Sequence, residues 1–159
     1  MDIGKFIDEF VKCKDDASKS RLVKKHIVKD YISYATKIDE AKKIINLSSY
    51  AKDEDGNERF MLDSPIRYLL RTLCIIRSYT DLEFDSINSS EQFDLLDRYN
   101  VMNYVEEAIG DDCVKFDTIL KMVYDDMMVN ERSLVSFVEK KLNVLTALIE
   151  AMDVPEQTE

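Results

Sequence analysis

The sequence contains no tryptophan, one histidine, three glycines and two prolines among its 159 residues. So few glycines leave little material for a phosphate-binding loop, and neither a GxxxxGK[ST] loop nor a GxGxxG turn occurs. The single histidine, His26, stands among apolar neighbours beside Lys25. No constellation for nucleophilic catalysis and no HExxH zinc helix is present. We therefore expect no enzyme, no cofactor and no catalytic residue, and we interpret His26 as a partly buried structural residue.

The three cysteines, Cys13, Cys74 and Cys113, lie far apart, and no CxxC pair or Cys/His cluster could hold zinc. We predict three reduced thiols that serve as packing groups. The first residues, MDIGKF, lack the continuous apolar stretch and the cleavage site of a secretory signal. These features together favour a cytoplasmic location.

The composition, 45% hydrophobic and 34% charged, is too apolar for a disordered chain and too rich in charge for a membrane span. No repeat, low-complexity tract or linker rich in proline and glycine divides the chain. We predict a single helical domain over residues 1–154, followed by a polar tail over 155–159.

Charge is distributed unevenly along the chain. Residues 1–45 hold 11 Lys and Arg against 8 Asp and Glu, whereas residues 46–159 hold 11 against 24. The candidate partner-binding residues are the cations of the basic segment, Lys19, Arg21, Lys24, Lys25 and Lys29. The net charge of −10 opposes direct binding of nucleic acid at long range, so an acidic partner protein or another copy of this chain fits better. A solvated helix surface is the alternative interpretation of the same residues.

Two acidic stretches, Asp53–Asn57 and Asp81–Asp85, imitate the start of a calcium-binding loop. Neither stretch continues as a calcium-binding loop, because Glu58 and Ser86 occupy the position of the required turn glycine. We therefore expect no metal site. An enzyme that uses a carboxylate-bound metal remains the least favoured of the functional alternatives.

Apolar spacing of three and four residues predicts that the chain is mainly α-helical. Turn residues between two short apolar runs predict a small β-hairpin near residues 48–63. We expect a single-domain helical bundle, in which the helix that starts at Ser64-Pro65 and ends near Tyr79 is the central and most buried element. The helices are predicted over 2–14, within 17–31, and over 33–47, 64–79, 101–109 and 111–152, with a further helix that carries Phe93, Leu95 and Leu96.

Particular residues are predicted to begin or end these helices. Ser33, Ser64, and Ser89 or Ser90 can accept hydrogen bonds from the unpaired amides of a first turn. Gly110 can end a helix in a left-handed conformation. The last predicted helix is either continuous or broken near Asn130, which could cap a new helix, and we favour the break.

Three stretches of the sequence are KHIVKDY at 25–31, SPIRY at 64–68 and NERSL at 130–134. They resemble an uncharacterised group of small proteins that tailed phages and prophages of Gram-positive bacteria encode. The resemblance implies a phage origin and a place among virion or assembly genes. It implies no activity and transfers no functional residue.

These observations favour a phage-encoded, non-enzymatic protein that acts through protein–protein contacts, as a virion structural component or an assembly accessory. Its expected partners are other virion proteins or copies of itself, and it would act in the host cytoplasm during assembly or in the virion. The abundant Tyr and Met residues suit such contacts. The alternative is an acidic inhibitor that imitates nucleic acid and occupies the basic groove of a host defence nuclease.

Overall fold

A computed structural model describes residues 1–52, 56, 58–84, 89–132 and 134–152 of the chain. Within this part the backbone forms eight helices and one pair of short strands. In chain order the elements are α1 (Ile3–Lys12), α2 (Asp16–His26), α3 (Tyr34–Leu47), β1 (Tyr50–Lys52), β2 (Glu58–Phe60), α4 (Ser64–Tyr79), α5 (Ser89–Arg98), α6 (Val101–Ile109), α7 (Asp111–Arg132) and α8 (Leu134–Met152).

This architecture confirms the prediction of a mainly α-helical fold with one small hairpin. Two compact units can be distinguished along the chain, Met1–Lys121 and Met122–Glu159. The single domain over residues 1–154 stays a prediction. The polar tail over 155–159, including Pro155, lies outside the described residues.

Side chains cap each of the first three helices. Asp2 accepts a hydrogen bond from the Lys5 amide at the start of α1, and Asp15 forms a reciprocal capping box with Ser18 at the start of α2. Ser33 caps α3 by accepting from the Thr36 amide at 3.2 Å. The predicted cap at Ser33 is confirmed.

The hairpin places β1 antiparallel to β2, with Tyr50 opposite Phe60. The two rings pack edge to face at a centroid distance of 5.8 Å, a favourable cross-strand contact. Gly56, in the connection between the strands, has a φ of 83°, which glycine adopts without strain. The other turn residues, 53–55 and 57, lie outside the described residues.

Helix α4 departs from prediction in two respects. Its cap is Asp63, which accepts from the Ile66 amide at 2.9 Å, whereas Ser64 is already the first helical residue. An aspartate is as good a cap as a serine, and Pro65 fits the first turn in either register. The sequence predicts this helix to be the central and most buried element, but its buried residues are confined to its second half, where Ile75 and Ile76 are fully enclosed.

The later helices follow prediction more closely. Helix α6 spans the predicted residues 101–109, and Gly110 ends it with a φ of 71°. The predicted cap at Asn130 is wrong, since this residue lies inside α7, which continues to Arg132. Helix α8 begins at Leu134. Residue 133, between these two helices, lies outside the described residues, so the break near Asn130 stays a prediction.

The core of the first unit contains buried apolar side chains of α1, the second half of α4, α6 and α7. The N-terminus is held beside the segment that follows α4, where Ile3 N donates to Glu83 O and Glu83 N donates to Met1 O. The largest fully buried side chains include Phe6, Phe10, Tyr79 and Phe116. These contacts bring distant parts of the sequence around one apolar centre.

Two isoleucines of α4 test this distribution of burial, since Ile75 is 0% exposed and Ile66 is 39% exposed. We expect Ile75→Ala to lower the free energy of unfolding by about 2 to 5 kcal/mol, because it removes buried methyl groups and leaves a cavity. The matched control Ile66→Ala should cost less than about 1 kcal/mol. Urea unfolding would measure both, and equal losses would contradict the assigned burial.

Candidate functional site

The structure places four of the five predicted partner-binding cations on the surface. Arg21, Lys24 and Lys25 are exposed along α2, and Lys29 is exposed in the segment that follows this helix. Lys24 and Lys25 occupy the last turn, where positive charge interacts favourably with the helix dipole. Their role in binding a partner stays a prediction.

Lys19 is half-buried, and 30% of its side chain is exposed. Its ammonium lies 5.5 Å from the centre of the Phe10 ring and 5.9 Å from that of Tyr104, and 3.9 Å from an Asp16 carboxylate oxygen. The Tyr104 hydroxyl donates to the same carboxylate at 2.8 Å. Lys19 therefore lies where α2 packs on α6, in a structural contact that the sequence pattern did not indicate.

A buried ion pair joins Lys37 of α3 to Asp112 of α7, and sequence analysis did not identify it. The Lys37 Nζ and Asp112 Oδ1 atoms are 2.6 Å apart, and Lys37 is 2% exposed. Lysine and aspartate are rarely enclosed unless they are paired. The one local signal was Lys37 itself, which interrupts the apolar face of α3.

Further hydrogen bonds satisfy the remaining atoms of this pair. Lys37 Nζ donates to Ile32 O at 2.6 Å, while Asp112 Oδ2 accepts from Ile32 N at 3.1 Å and from the Tyr79 hydroxyl at 2.9 Å. The ammonium also lies 4.4 Å from the centre of the Tyr31 ring. We call Ile32, Lys37, Tyr79 and Asp112 the buried polar cluster. It joins α3, α4, α7 and the segment between α2 and α3.

The charge state of the cluster follows from these contacts. Burial by itself would raise the pKa of Asp112, but hydrogen bonds from Lys37, Ile32 and Tyr79 outweigh burial and lower it below the usual 3.8. Burial and the bond to Asp112 both raise the pKa of the Tyr79 hydroxyl well above its usual 10. Asp112 is therefore ionised and Tyr79 is protonated at neutral pH. The hydrogen bonds of the cluster bind and orient its own side chains, and neither residue is free to act as a base.

A cleft of about 340 Å³ lies against this cluster in the first unit. Exposed tyrosines from the start of α3 and the segment before it face residues of α7 across the cleft. The lining residues are Tyr31, Tyr34, Lys37, Lys115, Thr118 and Ile119. We call it the tyrosine cleft.

A second charged cluster joins α4, α6 and α7. The Arg71 guanidinium donates to both carboxylate oxygens of Asp117 and to Glu106, each at 2.6 Å. Burial opposes the charge of Arg71, but these bonds outweigh it and raise the pKa of the guanidinium further. Both carboxylates share one cation, and the guanidinium binds Asp117 in fork geometry, so the cluster holds α4, α6 and α7 together.

The cysteines agree with the prediction of three free thiols. Cys74 and Cys113 are buried, and burial raises the pKa of Cys74 to about 11 and that of Cys113 to about 12. A thiol is nucleophilic as a thiolate. At neutral pH these two groups are therefore inert packing residues.

His26 is a partly buried residue, as predicted. Its side chain is 15% exposed, its Nδ1 lies 2.7 Å from Asp81 Oδ1, and its ring and that of Phe6 form an edge-to-face pair. Asp85 and the stretch 53–55 of the two calcium-like stretches lie outside the described residues. Among the described residues, no group of three or more His, Cys, Asp or Glu could hold a metal ion.

Helix α8 of the second unit carries a row of exposed apolar side chains, which we call the α8 stripe. Each is between 45 and 58% exposed. Its members are Phe137, Val138, Leu142, Val144 and Leu145. With about 100° of rotation per residue, they cover an arc of about 160° on one side of the helix.

Charged and polar groups border the α8 stripe. Lys141 projects from within it, with its ammonium 5.7 Å from the centre of the Phe137 ring. On another side, the Lys140 ammonium pairs with Glu131 near the end of α7. Over the described part of the chain, no helix combines the length and the apolar character needed to cross a membrane. An exposed apolar row of this kind is typical of a protein-binding surface.

Asp112 tests the buried polar cluster. We expect Asp112→Asn to lower the free energy of unfolding at pH 7 by about 3 to 5 kcal/mol, because it leaves the Lys37 ammonium buried without a counter-charge. The matched control is Asp111→Asn, a change of its exposed neighbour, which should cost far less. Urea unfolding measures both.

The same variant has a defined pH dependence. Because the fold lowers the pKa of Asp112, its stabilisation is present above the usual value of 3.8 and is lost as pH falls through the folded value. The difference between the wild type and Asp112→Asn should therefore shrink below about pH 4. A difference that stays constant down to pH 2 would contradict the ionised pair.

Comparisons with known proteins found no relative of this chain. No family model, no curated protein and no solved structure matches the chain. The function must therefore be inferred from the clusters, the cleft and the surfaces described above.

Proposed function

We propose that this chain is a phage-encoded, non-enzymatic protein that acts through protein–protein contacts, as a virion structural component or an assembly accessory. The observation that carries the contact role is the α8 stripe, with five large apolar side chains about half exposed on one helix face. The resemblance of the stretches at 25–31, 64–68 and 130–134 supports the phage context. The partners that we propose are other virion proteins or further copies of this chain.

The free energy of association would come from removing the α8 stripe from water. Burial of apolar surface contributes roughly 25 cal/mol per Å², and an aromatic anchor such as Phe137 contributes more than its neighbours. Lys141 suits the same surface, because its aliphatic stem can pack while its ammonium reaches an acidic group on the partner. A core of this kind with a polar rim is the usual anatomy of an interface.

The uneven charge of the chain supports contacts between copies. Residues 1–45 carry a net charge of +3 and residues 46–159 carry −13. Opposite charges on different parts of identical molecules favour association at low salt and lose strength as salt screens them. A virion component or assembly accessory present in many copies would use such repeated contacts.

Two residues of α8 provide a matched test. Leu145→Glu places a charge in the α8 stripe, whereas Asn143→Glu places the same charge on the opposite side of the helix. We expect Leu145→Glu to weaken association by about tenfold or more and Asn143→Glu to have little effect. Sedimentation velocity would measure self-association, and quantitative mass spectrometry would measure the copies in purified phage particles.

Both variants change exposed residues, so their melting temperatures should stay close to that of the wild type. Equal behaviour of the two variants would exclude the α8 stripe as the contact. A wild-type chain that stays monomeric and is absent from purified particles would overturn the structural role. Competition with DNA for a basic host nuclease would then support the inhibitor alternative.

The basic segment is tested separately. If its cations bind an acidic partner, Lys24→Glu combined with Lys25→Glu should weaken association at low salt and leave the helical circular dichroism intact. The control is Lys42→Glu combined with Lys43→Glu, a charge reversal of two adjacent exposed lysines on α3. Association that is unchanged in low salt would assign Lys24 and Lys25 to a solvated surface.

A further inference from the structure

We propose that the tyrosine cleft binds a small aromatic carboxylate. This would be a site for a small molecule, separate from the protein contacts proposed for α8. Its volume of about 340 Å³ lies at the lower end of the range of ligand pockets, which suits a compact molecule with one ring.

The walls of the cleft provide apolar and aromatic contacts. Tyr31 and Tyr34 are 60% and 63% exposed, a high exposure for such large rings, and Ile119 adds a buried aliphatic surface. Exposed tyrosines offer an apolar face with little loss of conformational entropy on binding. A planar aromatic group would remove these faces from water.

The charge of the cleft selects an anion. Lys37 is paired with Asp112 beneath it, so the lining cation that forms no ion pair with a described residue is the exposed Lys115. None of the described residues that line the cleft carries a carboxylate. No described residue forms an ion pair with Lys115. A single ammonium matches a monoanion such as a carboxylate, whereas a phosphate group calls for several converging donors.

The floor of the cleft is held in place before any ligand arrives. Lys37 donates to Asp112 Oδ1 and to Ile32 O, both at 2.6 Å, and its charge lies against the Tyr31 ring. Since an ammonium has three donors, one proton remains directed away from these two bonds. The buried polar cluster thus fixes one aromatic wall and lowers the cost of ordering the site on binding.

Phenylacetate is a suitable probe, with phenylacetamide as a neutral compound of nearly the same size and phenethylamine as a cation. Titration of the ¹⁵N-labelled full chain, followed by amide chemical shifts, would give the site and the affinity of each. We expect phenylacetate to shift the amides of Tyr34, Thr118 and Ile119. It should bind about fivefold more tightly than phenylacetamide, as a partly exposed ion pair allows.

Three variants separate the contribution of the Lys115 charge to binding from that of the Tyr34 ring. Lys115→Gln should abolish the preference for the carboxylate and leave binding of the amide unchanged, whereas Tyr34→Ala should weaken both compounds. Lys42→Gln removes an exposed lysine elsewhere on α3 and should change neither. Because all three residues are exposed, each variant is expected to fold, and its ¹⁵N spectrum would verify this.

Several results would overturn the proposal. These are no shift of cleft amides at millimolar phenylacetate, equal affinity for phenylacetate and phenylacetamide, or an unchanged preference in Lys115→Gln. Tighter binding of phenethylamine would reverse the assigned charge. None of these outcomes bears on the α8 stripe, so failure of this proposal and failure of the proposed protein contacts are distinguishable.

Discussion

The buried ion pair between Lys37 and Asp112 is the interaction on which the first unit depends most. Taking two charges out of water costs several kcal/mol per ion, so the pair is tolerable because Ile32 and Tyr79 satisfy its remaining hydrogen-bonding atoms. Such a cluster adds little net stability over an apolar core. Its value lies in geometry, because a shift of α3, α4 or α7 would leave a charge buried without a partner.

The two proposed binding surfaces differ in their relation to the buried ion pair. The tyrosine cleft lies directly on the ion pair, which holds Tyr31 and the cleft floor in one arrangement. A preformed concave site of this size suits a small ligand. The α8 stripe belongs to the second unit, and it is apolar and, like any helix surface, convex. A protein partner can cover such a surface, whereas a small molecule cannot.

Local rules predicted much of the secondary structure. Ser33 begins α3 and Gly110 ends α6 because a cap and a left-handed residue depend on a few neighbouring atoms. The same rules failed where two candidates compete, as with Asp63 and Ser64, or where a favourable residue lies inside a longer pattern, as with Asn130. Burial along α4 was misjudged, because an apolar sequence does not say which of its faces a neighbour covers.

The sequence by itself determined the mainly helical fold, the hairpin, the free thiols and the uneven charge, since each follows from composition or from spacing within a few residues. Tertiary structure alone decided which charges distant in sequence meet. Lys37 pairs with Asp112, 75 residues away in sequence. Lys19, unlike the other basic residues of its segment, packs against the rings of Phe10 and Tyr104. Such pairings depend on how helices distant in sequence are placed against one another, and helical periodicity carries no information about that placement.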